Sequence, residues 1–388
     1  MVDVTTTSEQ QTLRRLTVIV AIQWMGATLG LPLLPLFLEH RGGTSSIIGL
    51  IMASFFVAGV VTQFFLGHLA DKFGRRPVLI FSLIAYGLAS MTYLLPVVAP
   101  WFALTRAVQG ASAGAIEVAS MSAVAALFTE DKRGRAVSQI LAAQLFGIAI
   151  GPLVGVLASV KQLGWAFFAT GVVSLCAAVV AFNTSLGDKV YDPTPLPRLR
   201  WSPQLKGALL ASSAGGLMIG VYEASWSLLM HSHHASTLQI RLSWTLFSIP
   251  WVALHRAGGW LADHANRRLI TISGLIYEAF FLSLYPHIHN NVLLLFAGSL
   301  ESIGVALSVP SVSSLMSQGA ANRELSRRQG LYATSNTAAL ALAAGVSGFL
   351  FTINPALPFT VAAIGASLLA LTTLWWWRDV DGFVSPRH

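Results

Sequence analysis

The chain has 388 residues, of which 54% are hydrophobic and only 10% charged, and its net charge is +8. A soluble globular domain carries about 25% charged residues, so the shortage of charge, more than the excess of apolar side chains, excludes a soluble fold. The single cysteine, Cys176, lies in an apolar run and excludes a disulfide framework.

Apolar stretches of about 20 residues match a hydrocarbon core about 30 Å thick. Reading along the chain predicts twelve, at roughly 14–38, 46–66, 77–96, 101–128, 136–158, 165–184, 207–231, 237–258, 269–287, 292–317, 329–352 and 358–377. The first has spanning length and no small-residue cleavage site, so it is expected to stay in the membrane and not to be removed as a signal peptide. The basic net charge invites a nucleic-acid reading, which the charge positions oppose. Of the 24 Lys and Arg, 20 fall on one side of the predicted spans, among them Arg14 and Arg15 before the first segment, Lys72, Arg75 and Arg76 after the second, and Arg378 after the last. Arg41, Lys161 and Arg241 fall on the other side, and Arg106 lies within a span. Positive residues accumulate on the cytoplasmic side. Both termini are therefore expected in the cytoplasm, in a multi-pass protein of the cell (inner) membrane whose partner is the lipid bilayer and not nucleic acid.

The motifs follow in chain order. Segment 1 carries Gln23, its one strongly polar side chain, beside Trp24, then Gly26-x3-Gly30 and Pro32-Leu-Leu-Pro35. The loop after segment 2 reads GHLADKFGRRP from Gly67 to Pro77, and GWLADHANRR repeats it from Gly259 to Arg268, 192 residues later. A tight turn there needs positive φ, which Gly74 supplies and which Asn266, the next most tolerant residue, is expected to supply in the second copy. Asp71 and Asp263 are placed to accept from free N–H groups at a helix start. Segment 4 contains LTRAVQGASAG with Arg106, Gln109 and Gly110, and Glu117 eleven residues after Arg106, three turns on along the same face. Segment 5 contains GIAIGPLVG, with Gly147, Gly151, Pro152 and Gly155. Residues 185–206, with four prolines, read as a linker between two halves, 1–184 and 207–388. The pair Gly216-x3-Gly220 in segment 7 matches Gly26-x3-Gly30 at an offset of 190, as small residues four apart do where helices approach closely.

GHLADKFGRRP resembles the loop 2–3 signature of the major facilitator superfamily, and the resemblance extends over all twelve segments. It implies an all-α membrane protein of twelve transmembrane helices in two pseudo-symmetric six-helix bundles. LTRAVQGASAG resembles the R-x-x-Q-G motif of proton-coupled members, and GIAIGPLVG resembles the antiporter motif of exporters, with Val156 at its final Gly position and Ser138 at an earlier one. Pro32-Leu-Leu-Pro35 resembles a phrase of the twelve-helix drug:proton antiporter group, whose members often have an acidic residue in segment 1, where Gln23 stands here. The resemblance further implies a cytoplasmic latch formed by Gly67, Asp71, Gly74, Arg75, Arg76 and, in the second copy, Asp263, Arg267 and Arg268. In it Asp71 and the arginines meet the start of segment 11 at Gln329 and Gly330.

Ionisable residues at membrane depth are costly and default to function. Arg106, Glu117, Glu223 and Glu301 qualify on segments 4, 7 and 10, which line the central cavity in the implied fold. Glu301 sits close to the repeat position of Arg106, at an offset of 195, which makes the two candidates to face each other. Glu278, on peripheral segment 9, is expected in a local structural bond. Glu223 has no cation close in sequence and is the first choice for the proton carrier, with Glu301 second. Gln23, Trp24, Gln109 and Trp226 are candidates for the substrate cavity, with core packing as the plainer role of each. His231, His233 and His234 read as a polar loop and not as a zinc site, and Trp375-Trp376-Trp377 as an interfacial anchor.

These readings combine into a secondary active transporter: a monomeric, proton-coupled exporter of amphiphilic small molecules, using the proton gradient and no cofactor or metal. A lipid or glycolipid flippase and a nutrient uptake symporter are the alternatives, the latter expected to carry more polar cavity helices. An enzyme would need a nucleophile with a base or a metal cluster, and the sequence holds neither.

Overall fold

The computed structural model describes residues 4–128, 130–155, 159–184, 186, 199–318 and 322–383; the side chains at 4–8, 64–73, 125, 126, 130–134, 322, 323 and 326 lie outside that description. Most of the expected linker and Val156 therefore fall outside it, as do the side chains of Asp71 and Lys72 and the surroundings of Gly67. Every regular element among the described residues is helical. The chain divides into two compact units: Met1–Gly42 with Ser54–Pro193, and Gly43–Ala53 with Thr194–His388.

The first unit contains α1 (Val4–Leu29), the short α2 (Leu34–His40), α3 (Ser45–Phe73) from Ser54 onward, α4 (Arg75–Met91), α5 (Phe102–Leu127), α6 (Glu130–Val154) and α7 (Leu163–Phe182). The second holds the first turns of α3 together with α8 (Pro203–Val221), a π-helical turn at Tyr222–Trp226, α9 (Ser227–Ser232), α10 (Thr237–His264), α11 (Arg267–Leu284), α12 (Asn291–Ser317), α13 (Asn322–Ile353) and α14 (Leu357–Trp376). Helices suit a chain in lipid because each satisfies its own backbone polar groups. Ten helical runs among the described residues are long and apolar enough to cross a membrane. Two more helices, α5 (26 residues) and α10 (28 residues), are of comparable length.

Where helices begin, the sequence supplies the partners for their free N–H groups. Ser236 and Gln239 form a capping box at α10, while Asn290 accepts from Val292 and Leu293 at α12. Gly74, before α4, has the expected positive φ of +88°. Its counterpart Asn266 does not: its φ is −72°, and its side chain caps α11 by accepting from the Arg268 and Leu269 amides. Capping and a left-handed turn are competing uses of Asn, and here the cap prevails. Asp263 accordingly caps no helix; it lies near the end of α10, exposed, 3.8 Å from the Arg267 guanidinium.

Close approaches depend on glycine. A Cβ on Gly147 of α6 would fall 2.6 Å from the Ala21 carbonyl of α1, and one on Gly151 would overlap the Thr28 hydroxyl. Gly216 and Gly220 of α8 meet the Asn336 and Leu340 carbonyls of α13 in the same way. Gly26 and Gly30 face Thr170 and Phe167 of α7 instead, so the two sequence-matched glycine pairs serve different seams.

The second arginine of each charged phrase does the same job in its own unit. Arg76 donates to the Phe182 carbonyl at the end of α7 and lies over the Phe182 ring at 5.0 Å, while Arg15 donates to the Asn183 carbonyl. Arg268 donates to the Arg378 and Val380 carbonyls just past α14, at 2.9 and 3.0 Å. A cation at a helix C-terminus satisfies orphan carbonyls and opposes the helix dipole. Arg268→Gln is therefore expected to speed hydrogen exchange of the Arg378 and Val380 amides by about tenfold, with Arg76→Gln doing the same at Asn183 and Thr184. Exchange unchanged in both variants would show that the contacts carry no load.

Trp377 departs from the interfacial reading. It is fully buried, donates to the Gln204 carbonyl at 3.2 Å and packs on Gly207. Trp375 is 56% exposed, and Lys206 lies over Trp376 at 4.4 Å.

Candidate functional site

The second unit gathers a buried carboxylate and a set of aromatic rings. Glu301 lies in the middle of α12 and is 1% exposed. Tyr222, at the head of the π-helical turn, places its hydroxyl 2.5 Å from both Glu301 oxygens. Tyr285, in the turn after α11 and fully buried, donates to Glu301 Oε2 at 2.5 Å. Trp226 stands edge-on to both rings, with centroids 5.6 Å from Tyr222 and 5.0 Å from Tyr285. Its indole N–H donates to Ser243 of α10 at 2.8 Å, which fixes the plane of the ring. Neither tyrosine stands out in the sequence, because a Tyr in an apolar run reads as one more aromatic. The available signal was indirect: a carboxyl at membrane depth must have hydrogen-bonding partners.

Glu223 follows Tyr222 on the same π-helical turn and is partly buried. Single π-turns inside helices occur frequently at functional sites. Glu278 accepts from Ser308 of α12 at 3.0 Å, the local bond expected for a peripheral position.

In the first unit, Arg106 is buried with its guanidinium 4.2 Å over the Phe55 ring, and donates to Gln109 Oε1 at 3.4 Å. Gln109 in turn donates to Ser90 at 2.9 Å and accepts from Tyr93, whose ring is stacked between Phe102 and Phe167. A Cβ on Gly110 would overlap the Phe55 carbonyl, so the R-x-x-Q-G phrase seats α5 on α3 through one residue, Phe55, used twice. Glu117 accepts from Gln63 at 3.3 Å, about 16 Å along α5 from Arg106. Of the four cavity candidates, Gln23, Gln109 and Trp226 are buried against neighbouring helices, Gln23 accepting from Ser174 at 2.8 Å, and Trp24 is partly buried. Pro152 lies inside α6 and Gly155 just beyond it, both buried.

Around the expected latch, Gly74 and Arg75 are partly buried, whereas Gln329 and Gly330 are exposed. The strong ionic contact near that point belongs to Glu324. Its Oε1 accepts from Arg328 at 3.0 and 3.1 Å and from the Arg200 amide at 3.2 Å, while Arg328 also donates to the Met316 carbonyl. Arg328's bonds hold the Glu324 carboxyl below the usual carboxylate range, assisted by the Arg200 amide and opposed by desolvation. The folded value is the depressed one, so this contribution is present above the ordinary glutamate range and is lost as pH falls through the folded value. The stability difference between the parent and Glu324→Gln should hold steady near neutrality and shrink in acid. A difference independent of pH in detergent melts would rule this out.

His233 stacks on His289 at 4.8 Å, and burial, then the neighbouring His289, pushes its imidazole below the usual histidine value. Among the described residues, no group of three His, Cys, Asp or Glu is placed to hold a metal ion.

Long apolar helices with carboxylates buried among them define a multi-pass membrane protein. The profile of the Major Facilitator Superfamily matches residues 16–222 and 207–387, and the chain belongs to that family; it is a transporter and not an enzyme. It is 24% identical over 333 residues to an uncharacterised transporter of the same type from Methanocaldococcus jannaschii, covering 82% of this chain and 86% of that one. It is 28% identical over 160 residues to multidrug resistance protein 2 of Bacillus subtilis, spanning 41% of this chain and 40% of that protein. Among solved structures, the nucleoside transporter NupG superimposes with a TM-score of 0.76 at 12% identity, over 94% of this chain and all (100%) of the other.

Proposed function

We propose that this chain is a proton-coupled exporter of amphiphilic small molecules, working by alternating access as a monomer in the cell membrane. The observation that carries the reading is Glu301, a carboxylate at membrane depth on which two tyrosine hydroxyls of its own unit converge. Such a group is free to be neutral in one step of a cycle and charged in another. Export is supported by the antiporter-like run from Gly147 to Gly155, and the amphiphilic substrate class by a Bacillus subtilis relative named for multidrug resistance. In this reading α5 and α10 complete a set of twelve spans in two six-helix halves, 1–184 and 207–388. The linker at 185–206 and both termini are cytoplasmic.

The test uses purified protein in liposomes with an imposed pH gradient and a lipophilic fluorescent dye. Dye should accumulate on the acidic side and be released by a protonophore. Dye movement indifferent to the gradient would remove proton coupling. Gradient-driven movement of a nucleoside or sugar, with no movement of amphiphiles, would remove the substrate class.

A further inference from the structure

We propose that Tyr222 and Tyr285 are positioning residues that let Glu301 take up and release a proton without leaving a buried polar atom unpaired. The inference rests on the proton-coupled reading above and deepens it. The difficulty for any buried carboxyl that changes charge lies in its partners. A lysine or arginine has donors only, so it suits the anion and leaves the neutral acid's O–H without an acceptor; a backbone carbonyl suits the acid and not the anion. A phenolic hydroxyl both donates and accepts.

Two hydroxyls at this geometry satisfy both states. With Glu301 ionised, Tyr222 donates across its two oxygens and Tyr285 donates to Oε2, all at 2.5 Å. Both hydroxyls converge on the same oxygen, Oε2, each 2.5 Å from it. With Glu301 neutral, a proton arriving from water forms an O–H bond at Oε1. That O–H donates to the Tyr222 oxygen, Tyr222 donates to the Tyr285 oxygen, and Tyr285 continues to donate to Oε2, now the carbonyl oxygen. The bonds close a ring of three groups once the Tyr222 O–H turns and the two hydroxyls, already on one oxygen, close on each other. Both phenols stay neutral throughout, so one proton enters and one leaves at Glu301.

The frame keeps the heavy atoms in place during that exchange. Trp226 presses on both rings and is itself tied to Ser243, while Phe247 lies 6.2 Å from Tyr222. On α11, Glu278 and Tyr277 are the other titratable groups that interact electrostatically with Glu301. Each has its own partner: Ser308 donates to Glu278, and Tyr277 donates to the Leu300 carbonyl. Hydroxyls that only held helices together would not need to meet on one carboxylate oxygen.

The test reads the carboxyl itself. Infrared difference spectra of the full chain in liposomes, acid minus neutral, should contain the C=O stretch of protonated Glu301, identified by its loss in Glu301→Gln. In Tyr285→Phe that band should move to higher frequency, because its carbonyl oxygen loses its donor. Gradient-driven dye transport should fall about tenfold, with gradient-free dye exchange kept within about twofold of the parent. Tyr222→Phe should broaden or shift the same band. Should either variant fold poorly, the parent labelled with 3-fluorotyrosine keeps every ring in place and should still shift the band. A band and a coupling ratio unchanged in both Phe variants, while Glu301→Gln loses coupling, would overturn the tyrosine assignment alone. Full coupling in Glu301→Gln would overturn it together with the role given to Glu301.

Discussion

Glu301→Gln should bind amphiphilic substrate and exchange it across a membrane, yet lose gradient-driven accumulation by on the order of 100-fold. Glutamine nearly matches the shape of the acid, and its amide accepts from one tyrosine and donates to the other, so the frame around it should stand. What it lacks is the second charge state. A side chain that is permanently neutral neither takes up nor releases a proton, so whatever exchange remains has no proton movement to couple to. Melting within a few degrees of the parent, together with intact exchange, would separate this outcome from misfolding. Glu223→Gln is the companion measurement. Sequence reasoning favoured Glu223 because no cation lies near it along the chain, whereas the hydroxyl pair draws the assignment to Glu301. If Glu223→Gln loses coupling and Glu301→Gln keeps it, the proton belongs to Glu223.

The helices were legible because a lipid environment leaves so little choice: long apolar runs have to become helices, and the family resemblance carried by the GHLADKFGRRP phrase holds. Gly74 was legible for a local reason, since a tight turn needs a residue without a Cβ. Asn266 was not, because asparagine serves equally as a helix cap, and the choice is made by the helix that follows. The charged phrase reads as a latch toward segment 11, and the Asp71 side chain on which that reading turns lies outside the described residues. Within each unit its second arginine holds the end of the sixth long helix, through Phe182 in one case and Arg378 with Val380 in the other. Nothing in the second unit requires a glycine at Gly259, the counterpart of Gly67, since an added Cβ there would meet open space. The π-helical turn and the two tyrosines on Glu301 left no mark in the sequence, as both depend on which helices pack together.

The glycines of the antiporter-like run give the second large effect. Gly147 and Gly151 let α6 lie on α1, and Thr28 of α1 donates back to the Gly147 carbonyl at 3.3 Å. In the second unit the seam between α8 and α13 is built the same way, but with the glycines on α8, at Gly216 and Gly220. Each seam thus has a glycine pair on one partner only, and the run in α6 is first of all a packing device. Gly151→Val is expected to push α6 off Thr28 and Met25, at a cost of about 1–3 kcal/mol for overpacking and a fall in melting temperature of about 2–4 °C for each kcal/mol lost by a unit of this size. Because Trp24 lies on the α1 stretch against which Gly147 packs, dye transport should fall with it. Gly220→Val should act alike through the Leu340 carbonyl. Gly215→Ala supplies the contrast one residue from the seam: its nearest neighbour, on Asn336, would lie 3.8 Å from the new Cβ. Alanine in an open helical position gains about 0.5–1 kcal/mol over glycine, so that variant should melt at or above the parent. A Gly151→Val chain as stable as the parent would mean that α6 and α1 do not need this approach, and the run would have to be explained by the transport cycle instead.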